Sequence, residues 1–384
     1  MVEDIHRAIK GAQAFAMYRL PFSDECHVVA QQSGKSRILH NLSELEGRSG
    51  FVMAPFHADN YHPIIFISPE IEQSIQFRTS CQSATDAPTD CMSSPDAHEE
   101  DYDSYRQVFR KFHSSLCSGE FEKLVLSRRK KLHVGNVNPV DIFMRACSAY
   151  PRMMVYLCSA PECGTWLGCT PEILLAGSKS HYRTVALAGT MAPDNPDTTS
   201  LHSVSWSDKN KEEQKIVADF IRKKLKPYTH VIEEEGPYTS RAGRLLHLKT
   251  EFHFSSAWSR ESHAKPDSSG PTTCTNHTSE CRRSMSGLIS SLHPTPAVCG
   301  LPQEKARKFI IENEGYDRQY YSGIVGMLNF HDETNLYVNL RCSSIADDGT
   351  AVLYAGGGLL PSSTVESEWQ ETEEKLKTIL NVFR

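Results

Sequence analysis

The stretch Tyr354–Lys375, YAGGGLLPSSTVESEWQETEEK, joins a predicted strand to a predicted helix near the end of the chain. In this interpretation Gly356, Gly357 and Gly358 end the strand. Backbone N–H groups at such a turn, beside a helix N-terminus, suit a carboxylate or a phosphate, and a simple tight turn explains the same glycines. The stretch therefore predicts a strand–turn–helix unit with a potential anion site.

The helix predicted at Val365–Asn381 carries charged and apolar residues on separate faces. Glu368, Glu371 and Lys375 follow one another at three and four residues, a spacing that places them on one stripe. A solvated surface stripe is the alternative to a functional role for these charges. The neighbouring stripe is apolar and predicted to be buried: Leu376, Ile379 and Leu380.

A second acidic helix is predicted at Lys209–Lys226. Glu213 follows Lys209 by four residues, so the two share a face, and an exposed ion pair worth roughly 0.3–0.5 kcal/mol would account for them. The functional interpretation joins this helix to the C-terminal one. Mg²⁺ binds one or two carboxylates and keeps several waters, and two converging acidic helices would supply such a site.

Two charged residues lie in or beside apolar strands. Lys123 alternates with apolar neighbours in the predicted strand Glu122–Ser127, where it either guards a sheet edge or points into a pocket and serves as a base. Glu172 follows a predicted strand and a proline. It either begins a helix or, inside an apolar pocket, stays protonated and serves as an acid.

The predicted strand Leu336–Cys342 also alternates, so Tyr337, Asn339 and Arg341 are expected to share a face. A guanidinium at Arg341 can hold a carboxylate through two parallel hydrogen bonds. Pairing with an acid inside the sheet is the alternative.

Strand-like runs in pairs, with helices between them, favour a large mixed α/β or α+β architecture. Residues 80–100 are rich in Ser, Asp, Thr and Pro and predict a linker or loop, whereas residues 255–284 predict a polar surface insertion. Neither a dinucleotide-binding fingerprint nor a phosphate-binding glycine loop is present. The remaining predicted strands are residues 153–159, 165–169, 182–188, 245–254 and 351–355, and the remaining predicted helices are residues 105–116 and 302–313.

Composition excludes several classes of function. The chain has 384 residues and a formal net charge of −6, so no basic surface favours nucleic acid. No signal peptide and no long apolar run is recognised, so neither secretion nor a membrane span is expected. The 12 cysteines show no zinc spacing, and Cys158, Cys163 and Cys169 are expected to be buried reduced thiols in the cytoplasm.

These signals, in this order, resemble the chorismate-utilising enzymes, a family of isochorismate, salicylate, anthranilate and aminodeoxychorismate synthases. The run Leu292–Pro302, LHPTPAVCGLP, is the most specific match. The resemblance covers residues 120–384, and the first hundred residues match loosely. The other matching segments are EKLVLSR (122–128), WLGCTPEILL (166–175), ALAGT (186–190), LHLKT (246–250), EGYDRQYYSGIVG (314–326), 337–342 and 355–383.

The resemblance implies an α+β fold of large antiparallel sheets flanked by helices, like that of anthranilate synthase component I. It implies a strand-rich N-terminal subdomain, 1–100, integrated with a catalytic core, 101–384. Lys123 is the implied base and Glu172 the implied acid. The implied Mg²⁺ ligands are Glu213 and Glu371, with Glu368 acting through a water. The implied substrate-binding residues are Gly189, Thr190, His247, Arg341, Gly358 and Lys375.

Three residues distinguish the members of the family. Lys123 is usually missing where ammonia is the nucleophile, Ala188 replaces a nucleophilic lysine of aminodeoxychorismate synthases, and Ala297 stands where anthranilate-type members tend to have threonine. All three favour water, and hence isochorismate synthase, acting on chorismate as a monomer without a glutamine amidotransferase subunit. A salicylate synthase and a non-catalytic anion-binding relative are the alternatives. The pathway, menaquinone or siderophore biosynthesis, stays open.

Overall fold

The computed structural model describes residues 11–32, 36–77, 95–193, 200–256 and 284–384. Within these residues the chain forms eighteen strands and six α-helices. The strands are β1 Ala14–Arg19, β2 Glu25–Gln31, β3 Arg37–Leu39, β4 Gly50–Ala54, β5 Ile64–Ile67, β6 Ile71–Gln76, β7 Lys123–His133, β8 Met154–Ala160, β9 Gly164–Thr170, β10 Ile173–Ser178, β11 His181–Met191, β12 Ile232–Ala242, β13 Leu245–Ser255, β14 Gly300–Leu301, β15 Ile324–Phe330, β16 Glu333–Val338, β17 Cys342–Ile345 and β18 Thr350–Leu359. The helices are α1 Pro95–Cys117, α2 Pro139–Ala149, α3 Asp208–Leu225, α4 Met285–Leu292, α5 Gln303–Asn313 and α6 Val365–Leu380.

The strands form two nine-stranded antiparallel sheets. The first has the order β14-β7-β18-β17-β9-β8-β1-β2-β6, and the second has the order β12-β13-β11-β10-β16-β15-β4-β5-β3. Strands β1 to β6, from the first 77 residues, are divided between both sheets. The prediction of an α+β fold with large antiparallel sheets is confirmed.

The core lies in layers. Apolar side chains from the facing sides of both sheets, among them Phe51, Tyr156 and Trp166, are packed between the sheets. A second cluster joins the outer face of the first sheet to α2 and α6, and a third joins the second sheet to α3 and α4. Helices therefore cover both outer faces, which is how strands with apolar residues on both sides are buried.

The helix predictions at the two acidic segments are confirmed to within one residue. Helix α3 begins after Ser207, whose side chain accepts a hydrogen bond from the Asn210 backbone N–H (3.2 Å). Helix α6 begins after Thr364, whose hydroxyl accepts from the Ser367 N–H (3.4 Å). Such caps satisfy donors that have no partner within the helix. Local chemistry therefore defines both starts.

Three local predictions are wrong. The glycines Gly356–Gly358 do not end a strand, because β18 pairs with β7 through Leu359. The predicted strand Leu336–Cys342 is two strands, interrupted at Asn339–Arg341, where Arg341 has a left-handed backbone (φ 48°). Residues 95–100 belong to α1 and not to a linker, since the helical periodicity of 105–116 extends backwards.

Other sequence predictions are only partly tested. Residues 78–94 of the predicted linker and 257–283 of the predicted insertion lie outside the described residues. Each described cysteine is a free thiol; Cys158 and Cys169 are buried, and Cys163 is half-buried. Every helix of the described residues is too short or too polar to cross a bilayer.

Candidate active site

A cavity lies against the glycines of β18 and contains about 570 Å³ free of protein atoms, including its mouth. Three of the predicted site residues, Lys123, Glu368 and Glu371, lie behind its wall. The predicted site residues that line the cavity are Glu172, Gly189, Thr190, Glu213, His247, Arg341, Gly358 and Lys375. Residues remote in sequence are therefore gathered at one place.

Lys123 is completely buried at the start of β7. Its Nζ lies 3.0 Å from Glu213 Oε1 of α3, and Glu213 lines the cavity. Neither Lys123 Nζ nor Glu213 Oε2 has a hydrogen-bond partner among the described residues. A buried ammonium with unused donors is costly, so a polar group is expected to bind here. The alternative of an edge-guarding lysine is wrong, because the side chain is inside the protein.

The acids of α6 bind lysines from two directions. Glu371 Oε1 accepts a hydrogen bond from Lys375 Nζ (2.6 Å), which also donates to the Gly356 carbonyl (2.8 Å). Glu368 Oε1 accepts from Lys209 Nζ of α3 (2.6 Å). The expected Lys209–Glu213 pair is therefore replaced by a bridge between the two helices, and Glu368 is 1% exposed. The alternative of a solvated stripe is wrong for these residues.

The two α6 carboxylates differ in pKa. Burial raises the pKa of Glu368 to about 7, and the neighbouring Glu371 raises it further. Burial would also raise the pKa of Glu371, but Lys375 and Lys209 outweigh burial and hold this pKa at about 2. The pair therefore shares its proton unequally, with Glu371 ionised.

The glycines of β18 are needed because side chains come close. A Cβ at Gly358 would lie 2.1 Å from Glu213 Oε1 and 2.8 Å from Lys123 Cε. A Cβ at Gly357 would lie 3.0 Å from Glu368 Oε2 and 3.4 Å from the nearest Glu371 oxygen. The carboxylates of α3 and α6 thus lie against adjacent residues of one strand, and glycine leaves room for them.

Glu172 lies between β9 and β10, with its backbone carbonyl accepting from the Val338 N–H (2.9 Å). The side chain is 2% exposed, and Oε1 has no hydrogen-bond partner in the described part of the chain. Burial raises the pKa of Glu172 to about 8, although Lys123 and Lys375 oppose the shift. Glu172 is therefore mostly a neutral carboxylic acid at pH 7. The alternative in which it begins a helix is wrong, since a strand follows it.

His247 and Arg341 form one network at the cavity wall. Arg341 Nη2 lies 3.1 Å from His247 Nε2, and His247 Nδ1 lies 3.1 Å from the Gly189 carbonyl oxygen. Because a guanidinium can only donate and a carbonyl can only accept, Nδ1 carries the proton and Nε2 accepts. Burial, reinforced by Arg341, lowers the pKa of His247 to about 3, so the ring is neutral.

The left-handed backbone at Gly189 (φ 72°) lies at an irregularity in the β11–β13 register. This irregularity places the Gly189 carbonyl on His247, while the Thr190 hydroxyl lies 3.4 Å from the same ring nitrogen. Burial lowers the pKa of Arg341 to about 10, and its Nη1 donates to Thr378 Oγ1 (3.1 Å). The guanidinium is thus fixed from both sides at the cavity wall.

The acids of α3 and α6 fit a magnesium ion in ligand chemistry. Glu213 Oε2 and Glu368 Oε2 are buried oxygens without a hydrogen bond from any described residue, and Mg²⁺ prefers oxygen ligands. Each of the three glutamates contacts a lysine in this structure. They are not among the groups whose ligand atoms all lie within 4.8 Å of one another; in the described residues that group is Asp59, His62 and Asp317.

Sequence reasoning missed two residues of the site. Tyr321 lines the cavity and is buried, and burial raises its pKa, but nothing in its spacing marks it. Lys209 was considered only as a surface partner of Glu213, whereas it reaches across to Glu368. A lysine four residues before a buried glutamate was the available signal for Lys209.

A family model described as chorismate binding enzyme matches residues 38–258 and 274–384. The chloroplastic isochorismate synthase of Catharanthus roseus is 31% identical over 268 residues, which is 68% of this chain and 42% of that protein. The isochorismate synthase MenF of Escherichia coli K12 is 30% identical over 296 residues, 74% of this chain and 62% of that protein. The chain thus spans less than two thirds of the length of these relatives.

Two solved structures share the fold. A 2,3-dihydroxybenzoate-specific isochorismate synthase, DhbC, from Bacillus anthracis matches with a TM-score of 0.75 and 22% identity, over 99% of this chain and 98% of that one. Anthranilate synthase component I from Streptococcus pneumoniae matches with a TM-score of 0.63 and 15% identity, over 96% and 90% of the two chains. At these identities the likeness concerns the fold alone.

Proposed function

The chain belongs to the family of chorismate-binding enzymes, and from this premise we propose that it converts chorismate reversibly into isochorismate. The observation that carries the proposal is Glu172, a buried carboxyl that lines the cavity with a pKa of about 8. Displacing a hydroxyl group requires a proton donor, and a carboxylic acid that is neutral at pH 7 supplies one.

In the proposed reaction a water molecule attacks C2 of the chorismate ring while the ring double bonds shift and the C4 hydroxyl leaves. Lys123, as the free amine, takes a proton from the attacking water. Glu172 gives its proton to the departing hydroxyl, which leaves as water, so the number of protons balances. Acid and base residues of this kind each contribute about 10²–10⁴-fold to the rate.

The substrate carboxylates are assigned to the other charged residues of the cavity. Arg341 and Lys375 line the cavity and carry permanent or protonated donors, and Gly358 leaves space beside them. Neutral His247 holds Arg341 in position through Nε2. Fixed donors at the cavity wall orient a bound dicarboxylate without reorganisation during the reaction. Gly189 and Thr190 complete this side of the cavity.

Magnesium is part of the proposal. Glu213 and Glu371 would hold the ion, and Glu368 would act through a water. When bound, Mg²⁺ would supply positive charge for one substrate carboxylate. This arrangement requires the carboxylates to exchange their lysine contacts for the ion, because Glu371 now accepts from Lys375 and Glu213 lies beside Lys123.

Water as the nucleophile is supported by Ala188. Its backbone N–H donates to Gln214 Oε1 (2.9 Å), and its small side chain lines the cavity. A lysine at this position could form a covalent adduct, whereas alanine leaves room for water. We therefore propose that the enzyme needs no amidotransferase subunit and acts as a monomer in the cytoplasm, consistent with the free thiols of all described cysteines. The proposal covers both menaquinone and siderophore biosynthesis.

Chromatographic identification of the product tests the proposal directly. We expect purified protein with chorismate and Mg²⁺ to form isochorismate, and EDTA to abolish its formation. Salicylate as the final product would replace the proposal with a salicylate synthase. Intact chorismate under all conditions, although the protein is folded, would contradict it. Lys123→Ala is expected to lose turnover but retain chorismate binding, and full activity in that variant would remove the base assignment.

A further inference from the structure

A second cleft, separate from the active-site cavity, carries three guanidinium groups. It contains about 1130 Å³, including its open mouth, and is formed by the loop before β8, the tip of the β12–β13 hairpin and Leu201. Arg152 lies on the loop, and Arg241 and Arg244 lie on the hairpin. No acidic side chain of the described residues lines the cleft, although the chain as a whole has a net charge of −6. The local positive charge therefore runs against the charge of the protein.

The loop that carries Arg152 is held rigidly from below. Arg19 is 1% exposed, and its guanidinium donates to the carbonyl oxygens of Tyr150 (2.6 Å) and Met153 (3.0 Å). It also donates to the carbonyl of Pro151 (3.1 Å). A buried arginine that satisfies three loop carbonyls fixes the loop, so little ordering entropy remains to be lost when a ligand binds.

The hairpin tip is also preorganised. Ala242 pairs with Leu245, which leaves a two-residue turn of Gly243 and Arg244. Gly243 has φ 60°, whereas Arg244 is not left-handed, the pattern of a tight turn with glycine at its first central position. Arg241 and Arg244 therefore project from a short, defined element.

We propose that this cleft is a binding site for a small multivalent oxyanion, a dicarboxylate or a phosphorylated metabolite, that carries a compact apolar body. Guanidinium groups bind planar carboxylate and phosphate oxygens through paired hydrogen bonds. The apolar body fits against Tyr150, Met153 and Leu201, which form the uncharged part of the lining.

The cleft is connected to the active-site cavity by one side chain. Tyr150 lines the cleft, and its hydroxyl donates to the Thr378 carbonyl of α6 (2.7 Å). The Thr378 hydroxyl in turn accepts from Arg341. A ligand that packs on Tyr150 therefore acts on the residue that fixes Arg341, so occupancy of the cleft changes the affinity for chorismate. This coupling rests on the proposed function, whereas anion binding does not.

Calorimetric titration in EDTA tests the site with two probes: pyrophosphate, which presents phosphate, and phthalate, which presents an aromatic dicarboxylate. We expect saturable binding of at least one probe and at least about tenfold weaker binding in R152Q/R244Q, because two charge-assisted contacts are lost. The matched control is R37Q/R110Q, which removes the same charge from exposed positions elsewhere. Preference for phthalate would identify a carboxylate ligand, and preference for pyrophosphate a phosphorylated one.

Two results would overturn the site: no saturable binding of either probe, or equal weakening in R152Q/R244Q and R37Q/R110Q. Loss of binding in R341Q with retention in R152Q/R244Q would place the probe in the active-site cavity and equally overturn it. With activity established, a saturating probe is expected to change KM for chorismate by about fivefold or more. An unchanged KM would refute the coupling through Tyr150 while leaving the anion site in place.

Discussion

Replacement of Gly358 by alanine tests how closely the active site is packed. The added Cβ would lie 2.1 Å from Glu213 Oε1, whereas ordinary contact begins near 3.4 Å, so the carboxylate has to move by 3.4 − 2.1 = 1.3 Å. Gly358 does not have a left-handed backbone, so alanine introduces no conformational strain. The whole effect therefore comes from one methyl group beside Lys123 and Glu213.

A misplacement of about 1 Å at a reacting group lowers turnover roughly 10²-fold. Overpacking of this kind also destabilises a protein by about 1–3 kcal/mol. We therefore expect G358A to fold with a lower Tm and to lose about 100-fold in kcat for chorismate. Product chromatography measures the first quantity, and thermal unfolding by circular dichroism measures the second.

The adjacent glycine supplies a matched control. At Gly357 the Cβ would be 3.0 Å from Glu368 Oε2, the end of a flexible side chain, so a shift of a few tenths of an ångström is enough. G357A is expected to retain kcat within about tenfold of the original enzyme. In G358A/E213D the shorter side chain withdraws the carboxylate, and activity should exceed that of G358A alone. Activity and Tm in G358A equal to those of the original enzyme would refute the reasoning.

The remaining predictions concern titration, the helix bridge and the metal. Because Glu172 has a pKa raised to about 8, activity should fall as pH rises through 8, and E172Q should be about 10²–10⁴-fold slower without this dependence; an unchanged alkaline limb in an active E172Q would contradict the acid role. The folded pKa of His247, about 3, lies below its unfolded value, so its contribution to stability is present above pH 6.5 and is lost as pH falls, by about 3 kcal/mol at pH 4; urea unfolding of H247Q should show a smaller loss between pH 7 and 4. Lys209→Met leaves the Glu368 carboxyl buried without its cation and should lower the free energy of unfolding by about 3 kcal/mol, with recovery in K209M/E368Q; equal stability of the single variant and the original protein would show that the bridge is unimportant. Mg²⁺ at about 100 times its Kd should stabilise the protein by about 2.7 kcal/mol and should not stabilise E371Q, and thermal shifts of the same size in both would exclude Glu371 as a ligand.

The parts of the fold that follow from local chemistry could be predicted from the sequence. Helices α3 and α6 have caps and periodic apolar faces, and both were located to within one residue. Gly356–Gly358 were misinterpreted because glycine is common both in turns and where side chains approach a strand closely. The break at Asn339 could not be foreseen, since its amide donates to the carbonyl of Tyr320 (2.8 Å) and accepts from the hydroxyl of Tyr156 (2.6 Å), partners remote along the chain.

The candidate site shows the same division. The resemblance brought Lys123, Glu172 and Glu213 to one place, and the structure places them around or behind one cavity. Which lysine binds which glutamate could not be predicted, because Lys209 chooses between Glu213, one turn away, and Glu368, more than 150 residues away. Only the packing of α3 against α6 decides that choice. The arginine cleft likewise depends on a loop and a hairpin that meet only in the folded chain.

The position of β18 has a consequence for synthesis of the protein. This strand lies inside the first sheet, between β7 and β17, yet it is encoded within the last 35 residues. On the ribosome, the nascent chain must therefore wait with β7 unpaired on that side until almost all of the polypeptide has emerged. Such a delay exposes strand edges and apolar surface, which favours aggregation and engages chaperones. A truncation before Thr350 should consequently yield insoluble protein and not a weakened enzyme.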